Sequence, residues 1–161
     1  MLRKFLTAKT ITARSNALIK AHNVINLTKE KQKLTQPKLP FLKKHQTLTS
    51  ILTDQKLAKL GDAYLNFTYS LALTKRKKHP TGVKVESRIL AEALKKANLR
   101  KYLPHRTDRH KQADAAEALV IYAWNQNLLT IQETVQILQQ HEDAVDAFSS
   151  LICLAKTKIQ P

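Results

Sequence analysis

Gln112-Ala113-Asp114-Ala115-Ala116-Glu117-Ala118-Leu119-Val120-Ile121 sets two carboxylates into an alanine-rich run that is otherwise apolar from Ala113 onward. Alanine is the best helix former, and a spacing of three puts Asp114 and Glu117 on one helix face. The expected helix runs from about Asp108 to Trp124, with Asn125-Gln126-Asn127 ending it. Two like charges on a mostly apolar helix repel unless a cation lies between them. A hard divalent ion with oxygen ligands, Mg²⁺ or Mn²⁺, meets that need. So would pairing with a neighbouring cation such as Arg109 or Lys59.

Upstream, Leu48, Leu52, Leu57, Leu60, Tyr64, Phe67 and Leu71 recur mostly every three or four residues. That is the period of an amphipathic helix, expected to reach Leu73. Gly61 stands in its middle, where glycine costs about 1 kcal/mol of helix propensity; the cost points to close approach of another backbone. Asp62 follows it directly. Beyond Leu73, Lys75-Arg76-Lys77-Lys78-His79-Pro80-Thr81-Gly82 reads as a basic loop ended by Pro and Gly. Ser87 is the expected N-cap of a helix through Ala97, and Pro104 breaks the chain. Thr130-x-x-Glu133 forms a capping box for a last segment from Ile131 to about Leu154, bent near His141. No stretch shows a period of two, and the class is all-α.

Composition narrows the function. The chain has only two glycines, Gly61 and Gly82, too few for a phosphate-cradling loop or a dinucleotide fingerprint. The net charge is +16. Residues 1–53 and 54–113 carry +10 each, whereas residues 114–161 carry −4. A field of that sign attracts a polyanion, of which nucleic acid is the commonest. The lone Cys153 lies in the apolar run Leu151–Leu154 and reads as a buried, inert thiol. It fits a reducing compartment, the cytoplasm. No apolar run approaches a membrane span of about 20 residues. Residues 1–45 read as a basic extension with weak helical character around Ile11–Ile25, either an arm on RNA or an organellar transit segment. The folded domain is expected over residues 46–158. The six histidines show no zinc-like spacing. Tyr64, Phe67, Tyr69, Tyr122 and Trp124 sit at helical spacing, as core or dimer-interface residues.

Leu60-Gly61-Asp62-Ala63, followed 52 residues after Asp62 by Asp114-x-x-Glu117-Ala118-Leu119, resembles the ribonuclease III endonuclease domain. Asn66-Phe67-x-Tyr69-Ser70-Leu71-Ala72, Arg88-x-Leu90-Ala91-Glu92-Ala93-Leu94 and Arg109-His110-x-x-Ala113 extend the likeness over roughly residues 47–140, and it is nearest the compact archaeal-type branch. The resemblance implies a helical bundle in which the helices bearing Leu-Gly-Asp and Asp-x-x-Glu cross. It also implies that Asp62, Asp114 and Glu117 are catalytic residues binding Mg²⁺ or Mn²⁺, and that a homodimer cuts structured or double-stranded RNA. The family's glutamate four residues before the aspartate is Ala58 here, as the resemblance implies for the archaeal-type branch. The 44 residues after Glu117 are too few for a separate double-stranded-RNA-binding domain, so RNA grip falls to basic side chains. Lys59, Arg109 and Lys111 flank the carboxylates, and Lys75, Arg76, Lys77 and Lys78 form the basic cluster. A non-catalytic RNA-binding protein on the same fold, such as a ribosome-associated subunit, is the rival reading.

Overall fold

The central element is α4 (Arg109–Asn125). In the computed structural model, which describes residues 38–160, it is buried on nearly every side. Ala113, Ala115, Ala116, Ala118, Leu119, Val120, Ile121 and Ala123 are each at most 1% exposed. Its small side chains let neighbours approach closely. α1 (Leu48–Leu52), α2 (Gln55–Lys77), α3 (Ser87–Lys96) and α6 (Ala144–Ile159) all pack against it, and α5 (Ile131–Gln139) bridges α2 and α6. A 3-10 turn, Arg100–Tyr102, joins α3 towards α4. The described residues contain no strand and belong to one compact unit. The weak helix expected around Ile11–Ile25, and most of the expected basic extension, lie outside them.

Side-chain caps fix most helix starts. Thr47, Asp54, Asp108, Thr130 and Asp143 each accept a first-turn backbone N–H, satisfying a donor that the helix leaves orphaned. The Thr130–Glu133 capping box is present in full. Asp54 also corrects the expectation of one helix from Leu48 to Leu73. Its carboxylate takes the N–H groups of Lys56 and Leu57 at 2.9 and 3.0 Å, which ends α1 and restarts the chain as α2. Local side-chain bonds of this kind compete with helix continuation. His45 Nε2 lies 3.1 Å from the same carboxylate, and the His45 ring packs edge-on against Tyr122.

Other boundaries differ as well. Lys75, Arg76 and Lys77 do not form a loop; they are the last turn of α2, where cations face the negative end of the helix dipole. Only Lys78 leaves the helix, in the left-handed conformation at φ 58°, with Pro80 barring continuation. Glu86, not Ser87, occupies the N-cap of α3, without a side-chain bond. The segment after Ile131 is not one bent helix but two, because Asp143 caps a new start and carries α6 on to Ile159. Cys153 is exposed: Phe148, Leu151, Ile152 and Ala155 make the inward stripe of α6, and Cys153 falls outside it. Tyr64 and Leu65 face inward, and the Tyr69 ring packs against Phe148 at 5.1 Å. Phe67 remains 55% exposed.

Candidate active site

The crossing of α2 over α4 is held at Gly61. A methyl group there would stand 2.3 Å from the Glu117 carbonyl oxygen and 2.8 Å from its Cβ. The two backbones are thus as close as any side chain would forbid. Asp62, next in the chain, and Glu117 consequently open into one cleft of about 500 Å³, which Asp114 also lines. Lys59, Lys84 and Ala58 are among its other walls, with Ala58 only 2% exposed.

Each carboxylate is held differently. Asp62 accepts a hydrogen bond from Asn66 Nδ2 at 2.9 Å, and Asn66 Oδ1 in turn accepts Val85 N–H at 2.7 Å. Glu117 is 8% exposed and, among the described residues, its carboxylate receives no hydrogen bond and no ion pair. Burial first, then the charges of Asp62 and Asp114, push its carboxyl up to about 7, and Lys84 offsets only part of this. Asp114 is raised too, by burial first and then by the charges of Asp108 and Asp62. Pairing with Arg109 or Lys59 does not occur: neither side chain makes an ion pair among the described residues.

The donor set is chemically right for Mg²⁺ or Mn²⁺: hard oxygens, an excess of negative charge and a carboxylate with nothing to bond. Among the described residues no group of three or more His, Cys, Asp or Glu side chains is placed as a ready-made metal site. Mg²⁺ does not need one, since it keeps several waters and takes one or two protein carboxylates. Asp62, Asp114 and Glu117 are the carboxylates that line the cleft, and so the side chains that a bound ion would meet.

The expected RNA-contacting residues separate. Lys59 lines the carboxylate cleft. Arg109 lines an adjoining groove with Lys84, Arg88 and His110. Lys111 lies 4.0 Å from the Asp108 cap. Lys75–Lys78 stand roughly 20 Å along the helix from Asp62, at 1.5 Å per residue, and Arg76 donates to the His141 carbonyl. The role of Asn66, which stands in a quoted motif without a task of its own, and Lys84 altogether escape the motif reading. Asn66, four residues after Asp62, carries a signal in its spacing. Lys84 carries none, because it reaches the cleft from an irregular segment.

The ribonuclease III family model matches residues 55–154. The chain belongs to the ribonuclease III family. No curated protein matches it. The matched span runs from the first residue of α2 almost to the end of α6, so the family domain holds the α2–α4 crossing and all three carboxylates. No helix among the described residues of this ribonuclease III-family chain is long and apolar enough to cross a membrane.

Proposed function

We propose that this ribonuclease III-family protein is a metal-dependent endoribonuclease that hydrolyses phosphodiester bonds in structured or double-stranded RNA. The observation that carries the reading is the cleft in which Asp62, Asp114 and Glu117 meet around the Gly61 crossing. A divalent ion bound there supplies an activated water and neutralises charge on the leaving 3′ oxygen. The chain's own share is positional. Asn66 orients the Asp62 carboxylate, and the α4 backbone against Gly61 sets where Glu117 begins. Burial keeps Glu117 short of water, so that a cation is its best partner. Double-stranded RNA is gripped largely through phosphates and 2′-hydroxyls, which suits a +16 chain with Lys59, Lys84, Arg88 and Arg109 beside the carboxylates. We also assign a two-fold homodimer. Leu60 (38% exposed) and Phe67 (55% exposed) lie seven residues apart on α2, with exposed Ala63 between them, and a second copy would cover that stripe.

The deciding experiment is Glu117→Gln. It keeps size and removes the charge a divalent ion requires. Mg²⁺-dependent cleavage of an RNA duplex is expected to fall by two orders of magnitude or more, roughly the loss for an essential charged group. Binding measured in EDTA stays at the wild-type level. One observation favours the rival, a non-catalytic RNA-binding protein: Ala58 occupies the buried wall position where the family has glutamate. Wild-type protein that binds duplexes but never cleaves them with Mg²⁺ or Mn²⁺ decides for the rival. If the wild type cleaves, Ala58→Glu adds a fourth carboxylate to the wall and should raise the rate at limiting Mg²⁺.

A further inference from the structure

Four polar side chains spaced four apart on α2 form a ladder: Asp62, Asn66, Ser70 and Thr74. The segment after α2 returns along it. Thr81 N–H donates to Thr74 Oγ1 at 2.9 Å, Val83 N–H to Ser70 Oγ at 3.0 Å, and Val85 N–H to Asn66 Oδ1 at 2.7 Å. Four helical residues rise about 6 Å and two extended residues span about 6.6 Å, so every second amide meets the next rung. The alternation buries Val85, leaves Val83 half-buried and exposes Gly82 and Lys84. The last rung, Asn66, is also the residue that holds Asp62.

Lys84 is therefore delivered to a defined place. It lines the carboxylate cleft together with Asp62 and Glu117, and it also lines the adjoining groove of about 500 Å³, where Arg88, Arg109 and His110 outnumber the one acid, Glu86, 3.9 Å from Arg88. Among the described residues its ammonium has no hydrogen bond and no ion pair, and its charge acts within the chain only at longer range, on Glu117. A lysine between a carboxylate cleft and a basic groove faces the one ligand that needs both, a polyanion whose reacting phosphate enters the cleft while its neighbours lie in the groove. We infer that Lys84 grips an RNA backbone phosphate next to the scissile one, and that the Asn66–Ser70–Thr74 ladder is the device that positions it. This rests on the RNA reading above.

The test is duplex RNA binding in EDTA over a range of salt concentrations, where the slope of log K against log salt counts phosphate contacts. Lys84→Met should lower the slope by about one contact and weaken binding roughly three- to tenfold at low salt. Lys84→Arg should restore both. Ser70→Ala should shift the slope in the same direction in the wild type but add nothing in the Lys84→Met background. A purely structural role for Ser70 would not produce that dependence. Lys84→Gln serves as a second variant, and circular dichroism checks that each protein folds. An unchanged slope in both folded Lys84 variants overturns the inference and leaves the nuclease reading standing. A wild type with no salt-dependent RNA binding overturns both. Wild-type binding without cleavage overturns only the nuclease reading, and the Lys84 slope still decides this one.

Discussion

At the α5–α6 end of the bundle, Glu133 accepts from Lys158 Nζ at 2.9 Å and from Thr130 N–H at 2.8 Å, while Asp146 pairs with Lys96. At the α2–α4 crossing, three carboxylates share a cleft, no cation pairs with any of them, and Glu117 has no hydrogen-bond partner among the described residues. Both regions lie where helices of the same bundle pack on one another, so helix packing by itself does not account for the difference. A carboxylate kept from water and left without a partner is costly. The first region uses its acids to hold the fold. The second concentrates negative charge where the fold gains nothing from it, and that surplus marks a site for something from outside the chain.

The contrast breaks most severely at Gly61. In an ordinary exposed helix, Gly→Ala gains about 1 kcal/mol. Here the added methyl would meet the α4 backbone at 2.3 Å, and backbone cannot rotate away as a side chain can. Gly61→Ala should therefore destabilise the protein by about 3 kcal/mol, the upper part of the overpacking range, as measured by urea unfolding. It should also abolish cleavage by moving Asp62 away from Glu117. A variant as stable as wild type would mean that the helices cross elsewhere.

Much of this was legible from particular residues. The glycine opposing its helix-forming context pointed to a close backbone approach at Gly61, and the i,i+3 acids within an alanine run put Asp114 and Glu117 on one helix face; that the two helices cross with Asp62 beside them was implied by the resemblance to ribonuclease III. The Thr130 box located the start of α5. What escaped depended on competition between equals. Asp54 and Asp143 read as ordinary polar residues within a periodic pattern, yet each was free to cap and so divided a helix. The basic run at Lys75–Lys78 has loop composition but also suits a helix C-terminus. Lys84 owes its position to three side-chain-to-backbone bonds whose partners lie 7 to 19 residues away, and no local pattern encodes them.

The next effect is a stabilisation. Because the Glu117 carboxyl sits at about 7 in the fold, against 4.5 for the free side chain, the folded protein binds more protons than the unfolded one between those values. Stability is then highest below pH 4.5 as far as this group is concerned, and falls as pH rises to about 7. Glu117→Gln removes that loss. Without divalent ions it should be more stable than wild type by about 2–3 kcal/mol at pH 8, with the difference closing below about pH 5. Adding Mg²⁺ should stabilise the wild type and leave the variant unchanged, since only a ligand that binds the folded state shifts the transition. Equal melting temperatures at pH 8 would show that the cleft carries no surplus charge.

The smallest effect has the opposite sign and comes from the other region. The Lys158 ammonium, first, and then the Thr130 amide hold the Glu133 carboxyl below its ordinary value. A group whose folded value is lowered contributes stability above its unfolded value of 4.5 and loses it as pH falls through the folded one. Glu133→Gln should therefore be less stable than wild type at neutral pH, and the gap should close under acid conditions. Glu133 is 43% exposed on its side chain, so water screens the pair and the expected difference is only about 0.5 kcal/mol. Parallel melting curves of Glu117→Gln and Glu133→Gln from pH 4 to pH 8 would put the two regions on one axis. At pH 8 both variants remove one negative charge, so net charge affects them alike there. If the two stability differences diverge with pH in opposite directions, local pairing governs the acids. If both variants lose stability together, the protein responds only to its overall charge, since removing a negative charge from a +16 chain adds to its self-repulsion, and the distinction between the two ends disappears.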